Sequence, residues 1–254
     1  MRSQPPFLTD LILQVYAQLD PSPENKEWLR RAMLGAIKEY HTVWMSAPRL
    51  DLKTGLSRFR PDGLGIPPET EASHFTSVLT PFADALGISV NEFAELYNSG
   101  EVSEPILDTY FLHDRAVRES GHDTSYRLEK RCGNLGTVDL ASLLYKYEVD
   151  IGNTIRDHFD DSLELDTSFA QSVFPFGEEL PFKSTTAAPT ERSTQNSAEW
   201  FARAERRKEL CDHYLWHEGR SLYTDLDTAT GKQSLYDSVS SLSSKCSTET
   251  DARI

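Results

Sequence analysis

Along much of this 254-residue chain apolar residues recur every three or four positions, the spacing that lines one face of an α-helix. After Pro5 and Pro6, the stretch Phe7 to Leu19 places Leu8, Ile12, Val15 and Leu19 on one face, and Asp20-Pro21-Ser22-Pro23 ends it. Ser22 stands where it can cap a second helix with Pro23 at the first position: a serine hydroxyl accepts from a first-turn amide, and proline has no amide there to lose. Leu29, Met33, Ile37, Tyr40 and Trp44 form the stripe of that helix, and the short loop before it predicts an antiparallel pair.

From Ala47 to Glu71 the period disappears. Pro48, Gly55, Pro61, Asp62-Gly63, Gly65 and Pro67-Pro68 punctuate a long loop, a length that in a folded domain generally serves a function or lacks structure. Phe75 to Leu86 reads as a helix despite Pro81 and is closed by Gly87; Ser89 and Glu92 then carry a capping-box spacing ahead of Phe93, Leu96 and Tyr97. Val138 to Phe159 is the strongest helix, with Leu140, Leu144, Tyr147, Ile151 and Ile155 on one side. Its expected partner runs from Ser197 to Trp216, with Phe201, Ala204, Cys211 and Leu215 as the buried face.

Between these two helices an acidic run, Asp160 to Glu164, reads as a solvated helix exit, and the Ser/Thr/Pro-rich stretch Ser184 to Ser197 reads as a linker without fixed structure. The insertion as a whole spans about residues 166–196. Thr228 to Lys232 has the turn residues of a short hairpin, and residues 237–254 form a serine-rich tail with no apolar period. Helix pairs separated by long loops predict an all-α architecture, a toroid or a bundle.

Charge narrows the function classes. Lys and Arg total 26 against 40 for Asp and Glu, a net charge of -14, which disfavours nucleic acid and anionic lipid surfaces as partners. Cys132, Cys211 and Cys246 are too few and too far apart for a disulfide framework or a zinc site. No apolar run is long enough to span a bilayer and no leader pattern opens the chain, so a soluble, cytoplasmic protein is expected.

The densest ionisable stretch runs from His113 to Arg127, where acids and arginines interleave around Gly121. One reading is a solvated helix end; the other is a carboxyl group held among arginines, a mixture suited to sugar hydroxyls because arginine donates in a rigid fork and carboxylates accept. His113, Asp114, His122 and Asp123 match no standard metal-ligand spacing, and Gly63-Leu64-Gly65 lacks the preceding strand of a phosphate cradle. Trp28, Tyr40 and Trp44 read as core packing.

Three stretches together resemble one family. Arg2-Ser3-Gln4-Pro5-Pro6-Phe7, the loop Gly63 to Glu71, and Arg118-Glu119-Ser120-Gly121-His122-Asp123 with Tyr126-Arg127 are similar to the trehalases of the fungal neutral, cytosolic type, in the same order and at near-constant spacing from Arg2 to about Tyr236. The resemblance implies an (α/α)6 toroid, of which residues 1–236 would supply roughly half, and inverting hydrolysis of α,α-trehalose to two glucose molecules. It implies Asp123 as general acid, and Arg2, Ser3, Gln4, Glu69, Arg118 and Gly121 as substrate contacts. No metal and no cofactor are expected. Inverting hydrolysis needs a second carboxylate as base, and no residue here matches the family's base, so the chain is expected to be inactive alone. Half a ring would also leave the faces Leu29/Met33/Ile37 and Leu140/Leu144/Tyr147 exposed, open to a protein partner. The alternative is therefore a half-toroid that binds a full-length trehalase or another protein without turnover.

Overall fold

The structure is a computed structural model and describes residues 3–68, 71–122, 127–128, 130–165 and 194–234. The readings of the insertion over residues 166–193 and of the tail lie outside these residues. Among them the helices are α1 (Leu8–Tyr16), α2 (Pro23–Glu39), α3 (Thr76–Leu86), α4 (Val90–Ser99), α5 (Pro105–Ser120), α6 (Val138–His158) and α7 (Ser197–Tyr214). The strands are two residues long: β1 (Leu135–Gly136), β2 (Leu163–Glu164), β3 (Thr194–Gln195), β4 (Trp216–His217), β5 (Leu222–Tyr223), β6 (Leu226–Asp227) and β7 (Lys232–Gln233). The chain divides into two compact units, a smaller one of Met1–Gln4 with Phe59–Asn134 and a larger one of Pro5–Arg58 with Leu135–Ile254.

In the larger unit α2 starts where the sequence says. The Ser22 hydroxyl accepts from the Asn25 amide at 3.1 Å, with Pro23 at the first helical position. Leu29, Met33, Ile37, Tyr40 and Trp44 are all within 1% of complete burial. The helix continues as a π-helical turn, Tyr40–Trp44, closed by a hydrogen bond from the Met45 amide to the Tyr40 carbonyl. This wider turn brings Tyr40, His41 and Trp44 inside together.

The opposing core face comes from α6, whose Tyr147, Ile151 and Ile155 join the α2 stripe and Trp200 of α7 in one cluster. Fully burying side chains of this size is worth roughly 1.5–3 kcal/mol each, so these stripes pack rather than stay wet. The expected exposure of Leu29/Met33/Ile37 and Leu140/Leu144/Tyr147 is thus incorrect: all six are at 0% exposure, and Leu29, Met33, Ile37 and Tyr147 belong to the one cluster that α1, α2, α6 and α7 share. Among the described residues of this unit, the large apolar side chains left outside are Leu52 and those of α1 and its flanks. Ile12 is buried, but Val15 and Leu19, expected on the same face, are exposed with Phe7 and Leu11.

The buried face of α7 also departs from the hydrophobic pattern. It consists of Trp200, Ala204, Arg207 and Leu210, while Phe201 and Cys211 are only half-buried. Arg207 turns inward because Glu148 of α6 meets it: its Nη2 and Nε donate to Glu148 Oε1 at 2.7 and 2.9 Å, and the Tyr40 hydroxyl donates to the same oxygen at 2.7 Å. Burial first, then the neighbouring Glu148, pushes the Tyr40 hydroxyl far above its usual range.

Short antiparallel pairs tie down the loops of this unit. β6 lies between β1 and β7, with Leu135 opposite Asp227 and Leu226 opposite Gln233, so the expected hairpin turns at Thr228–Gly231. Buried Asp225 accepts from the Val138 amide at 3.1 Å and helps start α6. Thr194–Gln195, read from sequence as the end of the insertion, pair with Leu163–Glu164. Asn196 then caps α7 by accepting from the Glu199 amide at 3.0 Å. Asp161 is more than a solvated exit, for it accepts from the Ser197 amide at 2.8 Å.

The smaller unit has a separate core of Phe75, Leu79, Ala83, Phe93, Tyr97, Leu107 and Phe111, contributed by α3, α4 and α5. Gly87 closes α3 in a left-handed conformation, and the Ser89 hydroxyl accepts from the Glu92 amide at 3.2 Å to start α4.

Candidate functional site

The first part of the charged stretch, His113 to Ser120, forms the second half of α5. Pro105 opens this helix and Asp108 sits in its first turn, where an acid complements the amide dipoles. Leu107, Phe111 and Ala116 face the core, and Gly121 ends the helix at φ 70°, a left-handed conformation that costs a residue with a Cβ and suits glycine. Asp114, Arg115 and Arg118 remain half-buried beside that core.

Each of these charged groups reaches a different segment of the smaller unit. Arg115 donates from Nη1 to the Gly65 carbonyl at 2.6 Å and from Nη2 to the Gly63 carbonyl at 2.7 Å. The same loop is held from α4, where Asn98 Oδ1 accepts from the Ile66 amide at 2.9 Å. Gly65 has φ 72°, and a Cβ there would lie 2.6 Å from Asn98 Oδ1, so both its conformation and its surroundings require glycine.

Arg118 is oriented by Asp114 one turn earlier, with Nε to Oδ2 at 2.7 Å and Nη2 to Oδ1 at 3.3 Å. Its Nη2 also lies 3.3 Å from His74 Nε2, and its guanidinium sits 5.7 Å from the Phe75 ring centroid. A two-point carboxyl contact of this kind fixes a fork that would otherwise sample many rotamers. Glu119 is fully buried, and its Oε1 accepts from the Ser3 amide at 2.8 Å.

The chain leaves α5 through its own hydrogen bonds and returns to it. The Ser120 hydroxyl donates to the Val117 carbonyl at 2.6 Å and accepts from the His122 amide at 3.1 Å. Further along, the Gly133 amide donates to His113 Nδ1 at 3.2 Å, while Arg60 Nη1 donates to the Gly133 carbonyl at 2.9 Å and to Asn134 Oδ1 at 2.7 Å.

Of the residues assigned from sequence, Ser3, Gln4, Arg118 and Gly121 fall among those described, and all four belong to the smaller unit. Gln4 is exposed and Ser3 half-buried. Arg2, Glu69 and Asp123 lie outside the described residues. The structure adds Arg115, Glu119 and Asn98, which the sequence reading did not single out. Arg115 and Glu119 lie in the charged stretch, one turn apart on the helix that carries Arg118, and Glu119 stands inside the family motif itself. Among the described residues no three His, Cys, Asp or Glu side chains converge as a metal site. No described helix is long and apolar enough to cross a membrane. A cavity of about 430 Å³ bordered by Arg30, Phe159 and residues 162–165 lies in the larger unit and contains none of the assigned residues.

Comparison with known proteins identifies the lineage of this arrangement. The trehalase family model matches residues 1–251. The cytosolic neutral trehalase of Emericella nidulans is 52% identical over 241 residues, which is 95% of this chain and 30% of that protein. The cytosolic neutral trehalase of Neurospora crassa is 51% identical over 237 residues, covering 93% of this chain and 30% of that protein. Among solved structures, neutral trehalase Nth1 from Saccharomyces cerevisiae matches with a TM-score of 0.77 at 44% identity, over 92% of this chain and 38% of that one. The chain thus spans about 30% of the length of the curated relatives it matches. Its helical fold is of the trehalase (α/α)6 toroid class. With a family match over nearly its whole length and a solved relative of the same fold, this chain belongs to the trehalase family of glycoside hydrolases.

Proposed function

We propose that this chain contributes the acid-bearing part of a site that hydrolyses α,α-trehalose with inversion, in the cytosol. The observation that carries this reading is the convergence on α5: Arg115 bonds the Gly63–Gly65 loop, Glu119 bonds Ser3, and Arg118 leads into Gly121. All three stretches that resemble the trehalases are thus tied to one helix. The names of the relatives as cytosolic neutral trehalases support the substrate and the compartment.

In this mechanism the Asp123 carboxylic acid gives its proton to the interglycosidic oxygen as the bond to the anomeric carbon breaks. Water attacks that carbon from the opposite face, losing its proton to a second carboxylate held about 6.5–9.5 Å from the first. Two glucose molecules leave, one with inverted configuration. Arg118, already oriented by Asp114, donates to sugar hydroxyls without first giving up rotamer freedom. Ser3 and Gln4, with Arg2 and Glu69, supply the remaining polar contacts, and Gly121 admits the sugar close to the backbone. The base is proposed to come from outside the residues matched here, so the chain alone turns over little trehalose.

Saturation-transfer NMR with trehalose, run beside a glucose-release assay, tests this. Trehalose gives a signal that lactose does not, Arg118→Ala weakens it, and Asp123→Asn leaves it in place while removing any glucose release. A chain that shows no preference for trehalose, or releases glucose equally well with Asp123→Asn, contradicts the proposal.

A further inference from the structure

Glu119 occupies a position that helix stability does not explain. Its side chain is fully buried, which is costly for a carboxyl group without polar partners. It also lies in the last turn of α5, one residue before the helix ends at Ser120, where the carbonyl end of the helix dipole disfavours negative charge. The carboxyl group provides an acceptor for the Ser3 amide at 2.8 Å, from a residue 116 positions away in sequence.

We propose that Glu119 is a positioning residue for the segment Arg2-Ser3-Gln4: through the Ser3 backbone amide it ties that segment to the same helical turn that carries Arg118 and leads into Gly121. This rests on the trehalose reading above and deepens it, because it names the group that sets the register between two sugar-contacting stretches. Glu119 acts through the main chain of Ser3 and needs no contact with sugar. The bond to Ser3 needs an acceptor oxygen at that depth. Glutamine keeps such an oxygen at the same reach, whereas leucine fills the volume without one.

The experiment titrates trehalose into the wild-type chain, Glu119→Gln and Glu119→Leu by saturation-transfer NMR, with thermal unfolding followed on the same samples. Loss of a hydrogen bond to a charged acceptor corresponds to a weakening of about tenfold or more, which is expected for Glu119→Leu, while Glu119→Gln stays within about threefold of wild type. A Glu119→Leu chain that still unfolds cooperatively and binds trehalose as well as wild type overturns the proposal and leaves the family reading intact. A wild-type chain that does not bind trehalose removes both.

A second pair of variants covers the case in which Glu119→Leu does not fold. Ser3→Ala keeps the amide and loses the hydroxyl, and Ser3→Pro loses both. In the Glu119→Gln background, Ser3→Pro is expected to weaken binding about tenfold beyond Ser3→Ala. Equal affinities for these two variants also overturn the proposal.

Discussion

The two units use buried charge for different ends. In the larger unit two buried charges on facing helices pair with each other, Glu148 with Arg207 at 2.7 Å between α6 and α7, beside Tyr40 and Met45. In the smaller unit buried Glu119 bonds the Ser3 amide, half-buried Arg115 bonds two carbonyls, and half-buried Arg60 bonds one carbonyl and the Asn134 side chain. A side-chain pair joins two helices already set by their own apolar stripes. A side-chain to main-chain bond instead fixes a loop with no periodic structure to hold it. The smaller unit carries the glycine-rich loop and the Ser3–Gln4 segment, so its charged residues do the work that helix packing does elsewhere.

The largest effect is expected from breaking the pair in the larger unit. Arg207→Met leaves Glu148 buried without its cation, and removing one partner of a buried pair costs about 3–5 kcal/mol. Replacing both, as Glu148→Leu with Arg207→Met, removes the unpaired charge but strands the buried Tyr40 hydroxyl, so recovery is expected to be partial, short by about 1–3 kcal/mol, and to be completed by adding Tyr40→Phe. Urea unfolding of the single and double variants checks the point. If the double variant is as unstable as Arg207→Met, the pair is more than a replaceable clamp between α6 and α7.

A smaller and local effect should follow from Gly65→Ala in the other unit. At φ 72° an L-residue costs about 1–2 kcal/mol, and the added methyl group falls on Asn98 Oδ1, the acceptor of the Ile66 amide. The loop is expected to loosen while α6 and α7 keep their protection. Amide exchange by NMR reads both: Ile66 exchanges faster, and the core of α6, residues 144–155, is unchanged. A global loss of protection would mean that this loop holds more of the molecule together than its hydrogen bonds indicate.

Helix content was legible in the sequence wherever apolar spacing and capping residues agreed. Ser22-Pro23, Ser89 and Gly87 mark helix ends in the structure as in the pattern, and the stripe Leu29 to Trp44 is buried throughout. The pattern failed on α7 because its inner face includes an arginine. Arg207 counts as polar until Glu148, 59 positions away, is known to meet it. It failed on the exposure of the α2 and α6 faces because each face is covered by the other and by Trp200, a tertiary fact that no single helix encodes. Arg118 and Gly121 were found through family motifs, but Arg115 and Glu119 were not. Their partners are the carbonyls of Gly63 and Gly65 and the amide of Ser3, and backbone groups leave no signature in sequence.

The larger unit also holds main chain with carboxyl groups, in loops and at helix starts, and one of the latter gives the smallest effect. The N-terminus of α7 has two side-chain acceptors: Asn196 for the Glu199 amide, which does not titrate, and Asp161 for the Ser197 amide, which does. Hydrogen bonds from the Ser197 hydroxyl and amide hold the Asp161 carboxyl below the usual carboxylate range. With the folded value lower than the unfolded one, the stabilisation is complete above the unfolded value, near pH 4, and declines as pH falls through the folded value. Asp161→Asn keeps an acceptor oxygen and removes the titration. The wild-type chain should therefore lose protection of the Ser197 amide below about pH 4 while Asp161→Asn does not. The Glu199 amide, held by Asn196, should stay level in both. Identical acid profiles for Ser197 in the two proteins would remove Asp161 from the start of α7 and leave Asn196 as its cap.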